Sequence, residues 1–393
     1  MKSLGNCVRA FLYCRIEKNT MLERINQYLF SSDSKPGRNL SLDGLRGIAV
    51  LLVVGAHLSF DPHNINLLPF LDFTALGKTG VYLFFVLSSY LLDRQILLAI
   101  KNESDGIGFW KNYFLRRVLR IYPLYLFLLL CYFLIYKLGS DICICMRGPE
   151  DILSHLFLAK GFGPFWSIPV EFKYYILSPF LMYVITDLFQ SKKAIVLPFF
   201  ISLMLGISWY TYSNDYLNEG VVSEMWPYLP VFLCGSLLAF LEVNSSTKQQ
   251  NVLFDICGFV LIMMAIILGG SYFFSEIIGW KHSYIFSIYR KFIVIQGFFF
   301  MLVIYCSNRS SNFFQRILQF KGLRFIGLIS FGIYLIHWPI VKLFGRLDSG
   351  DYHPTLLWIG FFLLVLLLST ITHVFIEKPA SRISLLKRKN ISK

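Results

Sequence analysis

Residues 40–60 read LSLDGLRGIAVLLVVGAHLSF, with Asp43, Arg46 and His57 the ionisable members. Twenty residues of α-helix rise about 30 Å, the thickness of the hydrocarbon core of a bilayer. The stretch is therefore expected to cross a membrane. Working outward, comparable apolar stretches recur, and ten spans are predicted at about 42–60, 79–98, 119–138, 166–187, 194–212, 226–242, 252–270, 285–305, 325–344 and 356–376.

Of the 393 residues, 56% are hydrophobic and 15% are charged. A soluble domain carries roughly 25% charged residues, so a water-soluble globule is excluded, as are a disordered chain, a coiled coil and a small disulfide-stapled fold. The net charge of +14 does not point to nucleic acid, because Lys and Arg fall between the apolar segments rather than on one basic face. With the N-terminus in the cytoplasm, 26 of the 37 Lys and Arg residues lie inside and six outside, as positive-inside orientation requires. The expected fold is an all-α, polytopic membrane helix bundle of about ten transmembrane helices with both termini cytoplasmic. Residues 1–40 form a cytoplasmic tail, 41–380 the membrane domain and 381–393 a basic cytoplasmic tail.

No cleavable leader is expected, since the first 41 residues hold several charges and no apolar run of 7 to 15 residues. Thr20 and Glu23 have capping-box spacing, so an interfacial helix or a dispensable tail are both open there, and Met21 is an alternative start. Cys131, Cys234, Cys257 and Cys306 fall in spans as small hydrophobes, and a bridge between Cys143 and Cys145 would be strained. There is no Walker loop, dinucleotide fingerprint, zinc spacing or sustained repeat, so no metal is expected.

Ionisable groups inside hydrocarbon cost several kcal/mol unless partnered or hydrated, which makes each a candidate for function. Arg46 and His57, eleven residues apart, share a helical face about 16 Å apart along the axis; Asp43 stands one turn from Arg46 and could neutralise it. Arg116, Arg117 and Arg120 would project guanidinium groups from a helix, suiting phosphate. Glu171 lies one turn from Tyr174 and Tyr175, near Lys173, between Pro169 and Pro179. Ser330, Tyr334 and His337 step along one face, and His373 and Glu377 stand one turn apart. Each set also has a structural reading: snorkelling at the headgroups for Arg46, a boundary marker for His57, positive-inside anchoring for the arginines and helix packing for the rest.

Six segments in order, SLDGLRGIAVLLVVGAHLSF, VYLFFVLSSYLLDRQI, FLRRVLRIYPLY, FWSIPVEFKYYILSP, ISFGIYLIHWPI and FIEKP, resemble the membrane acyltransferase-3 family of integral-membrane O-acyltransferases. The family's Arg and His separated by ten residues fall on Arg46 and His57. Its Arg-x-x-Arg falls on Arg117 and Arg120, its Trp and Glu on Trp166 and Glu171, and its Tyr-Leu-x-His-x-Pro on Tyr334, His337 and Pro339. Ser89 departs from a frequent Gly, and Lys173 from an uncharged or acidic residue. Some members carry an added esterase-like domain; the chain runs 16 residues past Glu377, and none is expected.

The resemblance implies transfer of an acyl group, commonly acetyl, from acyl-coenzyme A to a hydroxyl of a surface-polysaccharide or glycolipid intermediate such as O-antigen or exopolysaccharide. It places the chain in the bacterial inner membrane. No tightly bound cofactor is implied, and acetyl-coenzyme A is the donor substrate. In this reading His57 is the base or the covalent acyl acceptor, and Arg46 orients the donor or steadies negative charge. Arg116, Arg117 and Arg120 hold coenzyme phosphates, while Trp166, Glu171, Tyr334 and His337 bind substrate or orient His57. The alternative is a multispan transporter using the same Arg, His and Glu as a substrate or proton path. No motif encodes the acyl chain, the sugar or the oligomeric state.

Overall fold

The computed structural model describes residues 30, 39–60, 76–138, 150–214, 216, 223–245, 250–269, 292–347 and 354–383. Contacts divide the chain into Met1–Leu40 and Ser41–Lys393, and every helix named below belongs to the second unit. The capping-box segment at Thr20–Glu23 and the Cys143–Cys145 pair lie outside the described residues.

Among the described residues every regular element is helical. The principal ones are α1 (Ser41–Phe60), α2 (Leu76–Lys101), α3 (Ile107–Lys137), the short α4 (Glu150–Leu156), α5 (Ser167–Tyr183) and α6 (Lys193–Ser213). They continue with α7 (Leu229–Val243), α8 (Val252–Gly269), α9 (Ile293–Arg309), α10 (Phe313–Leu318), α11 (Lys321–Leu328), α12 (Ser330–Leu347) and α13 (Pro354–Thr372). A 3-10 turn, Gly163–Trp166, leads into α5, and π turns extend α5 over Val184–Leu188 and α13 over His373–Glu377.

Eight helices, taken with such extensions, are long and apolar enough to cross a membrane. Helices α11 and α12 pass the same test together but bend by 75° at their junction, and α9 is a shorter apolar helix. Large apolar side chains such as Leu130, Phe180, Ile201 and Leu363 are exposed on the outside. On a water-soluble protein they would be a liability; on a multi-pass membrane protein they are the lipid-facing surface. Helix α3 begins twelve residues before the span expected there. Its N-terminal half carries the arginines as a continuation of the same helix, so all three are displayed on a regular backbone.

Helix α2 lies at the centre, packed against α1, α5, α7 and α9. Without a hydrophobic drive between helices in lipid, close approach depends on small residues. At the α2–α7 crossing, a Cβ on Gly235 would fall 2.1 Å from Ser89 Oγ and 2.4 Å from the Val86 carbonyl oxygen. The space for Ser89 is thus made on the facing helix, and its hydroxyl donates to the Phe85 carbonyl at 3.0 Å. At the α1–α11 crossing a Cβ on Gly327 would sit 1.8 Å from the Asp43 carbonyl oxygen. This contact fixes the N-terminal turn of α1, and with it the place of Arg46.

Prolines interrupt α5 and α12 beside the site, and each leaves the carbonyl four residues earlier without its helical N–H. Helix α3 repairs both. Tyr113 donates its phenol to the Tyr175 carbonyl (2.8 Å), opposite Pro179, and Tyr132 donates to the Leu335 carbonyl (2.5 Å), opposite Pro339. A second buried network ties α2, α7 and α9: Glu242 pairs with Arg309 at 3.0 Å and accepts from Tyr90 at 2.6 Å and Asn308 at 3.0 Å. The bundle therefore partners its buried charge instead of leaving it to hydrocarbon.

Candidate functional site: two abutting cavities

Arg46 projects from α1 within 3.6 Å of Asp43, one turn before it, so the charge on Arg46 has a local counter-ion. It lines a cavity of about 60 Å³ together with Ser88, Arg120, Glu171, Ser330 and Tyr334. Four helices and the start of α5 supply these side chains. Helix periodicity alone cannot bring them together; it takes the α1–α2 and α2–α5 contacts. Two guanidinium groups and one carboxylate around a small cavity make an anion-compatible site whose own acid is kept occupied.

Glu171 Oε1 accepts short hydrogen bonds from Ser88 Oγ and from Tyr175 OH, one turn along α5. Lys173, two residues on, turns elsewhere: its ammonium donates to the carbonyls of Ser223 (2.9 Å) and Ala159 (3.4 Å). It therefore ties α5 to neighbouring loops and does not bond Glu171.

His57 lines a second cavity, of about 310 Å³, with Lys78, Val81, Trp166, Tyr334 and Trp338 among its walls. Its Nδ1 lies 2.7 Å from Nε2 of His337, and Nδ1 of His337 lies 3.0 Å from the Ile333 carbonyl. A carbonyl can only accept, so His337 Nδ1 is the donor and its Nε2 carries a lone pair. In the neutral pair, His57 Nδ1 must then donate to that lone pair. The consequence is that Nε2 of His57 is left basic. The edge of Trp338 packs against His57 at 4.5 Å between ring centroids, and the His57 and His337 rings stack at 5.0 Å.

Arg46 and His57 thus line different cavities, which abut at two shared residues, Val81 and Tyr334. Tyr334 is held there by Ser167, whose hydroxyl donates to the phenol at 2.9 Å. Trp166 packs against Phe85 and Tyr228 at centroid distances of 6.0 and 5.0 Å and forms a wall on the His57 side.

The three arginines of α3, expected to project as one cluster, do not all line one cavity. Arg120 lines the Arg46 cavity. Arg116 lines a separate cavity of about 360 Å³ with Gln95, Asn102, Phe109 and Asn112. Arg117, between them, lies over the rings of Tyr113 (5.7 Å) and Tyr175 (5.4 Å) and reaches Gln95 Oε1 at 3.4 Å. Successive residues on a helix turn by about 100°, so neighbours cannot share one target unless it wraps the helix. Nδ1 of His373 lies 3.4 Å from Glu377 Oε2 across the π turn after α13, and neither residue is among those lining the two cavities.

Sequence reasoning did not single out Ser88, Ser167, Val81 or Trp338. All four lie in segments that carry the family resemblance, and Ser88, Ser167 and Trp338 stand next to Ser89, Trp166 and His337. Asp93 was also missed; wholly buried in α2, it accepts from Tyr174 at 2.6 Å and from Ser178. Among the described residues no group of three His, Cys, Asp or Glu side chains could hold a metal ion.

A family model described as an acyltransferase domain, Acyl_transf_3, matches residues 39–374, most of the chain. The chain belongs to the acyltransferase-3 family. This acyltransferase-3 chain is 26% identical over 371 residues to O-acetyltransferase OatA of Staphylococcus aureus (strain NCTC 8325 / PS 47), covering 86% of the chain and 56% of the relative. It is 26% identical over 372 residues to a putative peptidoglycan O-acetyltransferase, YrhL, of Bacillus subtilis, covering 86% and 54%. Peptidoglycan O-acetyltransferase OatA of Listeria monocytogenes is 26% identical over 348 residues, covering 77% and 49%. The chain spans about half the length of these curated relatives. No solved structure matches it.

Proposed function

We propose that this acyltransferase-3 chain is an integral-membrane O-acyltransferase that moves an acyl group, most simply acetyl, from acyl-coenzyme A to a sugar hydroxyl of an envelope glycan. The acceptor is a surface-polysaccharide or glycolipid intermediate or, following the names of two relatives, peptidoglycan. The observation that carries this reading is the His57–His337 hydrogen bond at 2.7 Å, with His337 anchored on Ile333. It fixes the tautomer of a histidine that lines the larger cavity, and tautomer control is what a general base needs.

In the proposed reaction, Nε2 of His57 takes the proton of the acceptor hydroxyl as that oxygen bonds to the thioester carbonyl carbon. The carbon–sulfur bond then breaks, and the departing sulfur takes the proton back from His57. His337 holds the ring and spreads the transient positive charge. Arg46 and Arg120 draw the anionic donor toward the smaller cavity, a cation pair being effective where water is scarce. Glu171, held by Ser88 and Tyr175, faces the same cavity as those guanidinium groups and offsets their charge. Both termini would lie in the cytoplasm and the chain in a bacterial cytoplasmic membrane, with the donor arriving from inside.

The test compares base-labile acyl esters on envelope glycans of cells with the gene, without it, and with His57→Ala at matched membrane abundance. Loss of esters in the second and third supports the reading. Unchanged esters with altered accumulation of a small solute would make the chain a transporter instead.

A further inference from the structure

Residues 158–166 connect α4 to α5 and give Gly163, Pro164 and Trp166 to the wall of the His57 cavity. This is not a relaxed connection. Leu158 is buried and holds a left-handed backbone at φ 52°, which a residue with a Cβ keeps only where its surroundings impose it.

Two side chains from outside the loop hold it. The hydroxyl of Ser223 accepts from the Gly161 N–H at 2.9 Å and donates to the Gly161 carbonyl at 3.0 Å. The ammonium of Lys173, on α5, donates to the carbonyls of Ala159 (3.4 Å) and of Ser223 itself (2.9 Å). One cation thus grips both sides of the clasp. Gly161 in turn lies so close to the turn bearing Trp166 that a Cβ there would fall 2.3 Å from the Phe165 carbonyl oxygen. Contacts this tight transmit displacement, so a shift at Gly161 reaches the cavity wall.

The cavity, of about 310 Å³, stands at the lower end of small-ligand pockets, roughly 300–1,000 Å³. It has room for one sugar ring. Trp166, Trp338 and Tyr334 are its aromatic walls, and His57 and Lys78 its ionisable members. Flat apolar walls with few polar groups suit the C–H faces of such a ring.

We infer that residues 158–166 form the acceptor wall of the His57 cavity, seating the sugar against Trp166, and that Lys173 and Ser223 set acceptor affinity by holding that wall. This rests on the acyl-transfer reading above and adds to it the residues that place the acceptor. Neither Lys173 nor Ser223 lines either cavity. Both act through the loop and are positioning residues. Arg46 and Arg120, which serve the donor, line the other cavity, so loosening the clasp leaves donor binding as it was.

The experiment uses nanodiscs carrying the full chain, acetyl-coenzyme A as donor and, as acceptor, envelope glycan from cells with the gene, stripped of its esters by mild base. Initial rates of ester formation are measured against each substrate in turn. Lys173→Met should raise the KM for glycan by about tenfold, the scale of one charge-assisted hydrogen bond, with the KM for acetyl-coenzyme A unchanged. Lys173→Arg, which can donate to both carbonyls, should keep the glycan KM near the wild-type value, and Ser223→Ala should raise it by less than Lys173→Met. If Lys173→Met yields no folded protein, Ser223→Ala decides. An unchanged glycan KM, or equal rises in both KM values, overturns the acceptor role of the clasp; a wild-type chain that forms no ester on the stripped glycan overturns the acyl-transfer reading itself.

Discussion

Tyr132 donates its phenol to the carbonyl of Leu335 at 2.5 Å, and this is the carbonyl that Pro339 leaves without a helical partner. The bond joins α3 to the helix that presents His337 and Tyr334. Tyr113 does the same for the Tyr175 carbonyl opposite Pro179. One long helix thus supports two proline-broken helices beside the two cavities.

Tyr132→Phe should leave the buried Leu335 carbonyl unsatisfied and cost about 1–3 kcal/mol. Adding Pro339→Ala supplies the missing N–H within α12, so the double variant should be destabilised by less than the sum of the two single changes. Thermal unfolding in detergent of the four proteins closes the cycle; strict additivity would mean that the phenol does not serve the carbonyl.

His57→Ala should abolish acyl transfer at normal membrane abundance. His337→Ala should lower it by about 10²- to 10⁴-fold, the range for general acid–base assistance, because His57 then loses the partner that fixes its tautomer. Single-turnover ester formation in vesicles measures both. If His337→Ala transfers acyl groups as fast as the wild type, the hydrogen bond has no catalytic role.

Arg120→Gln should raise the KM for acyl-coenzyme A several-fold with little change in thermal midpoint, since Arg120 lines the cavity it shares with Arg46. Arg117→Gln should instead lower the thermal midpoint, because it removes a cation from above Tyr113 and Tyr175. The two substitutions are three residues apart on one helix, and equal effects on KM would restore the single phosphate-binding cluster.

Arg309→Ala should destabilise the bundle by about 3–5 kcal/mol by stranding Glu242 in a buried site. Arg309→Met combined with Glu242→Leu should recover part of that loss, since no lone charge remains. Size-exclusion profiles after graded heating report the surviving fraction, and a double variant no better than Arg309→Ala would place the damage in the rest of the network.

The fold class was legible in the sequence because it depends on a local quantity: enough consecutive apolar residues to span hydrocarbon, interrupted where Lys and Arg collect. Eight of the ten expected segments fall on helices long and apolar enough to cross a membrane; the one at 325–344 is a pair bent by 75° near Ile329, and that at 285–305 is a shorter apolar helix described from Phe292 onward. Helix α3 runs on before the expected span at 119–138 because hydropathy drops at its arginines while the helical hydrogen bonding does not. Arg46, His57, Glu171, Tyr334 and His337 could be named as candidates, since a polar group in an apolar run stands out by itself.

What the residues do to one another was not legible. Spacing put Arg46 and His57 on one face of one helix, but whether they share a cavity depends on Val81 and Tyr334, which arrive from α2 and α12. The approach of His337 to His57 spans 280 residues of chain, and its tautomeric consequence needs the Ile333 carbonyl as well. The sequence by itself determined which groups hydrocarbon would not tolerate alone. Tertiary structure decided their partners, because helices in lipid are placed by close contacts such as Gly327 on Asp43 and Gly235 on Ser89, and such contacts carry no periodic signal along the chain.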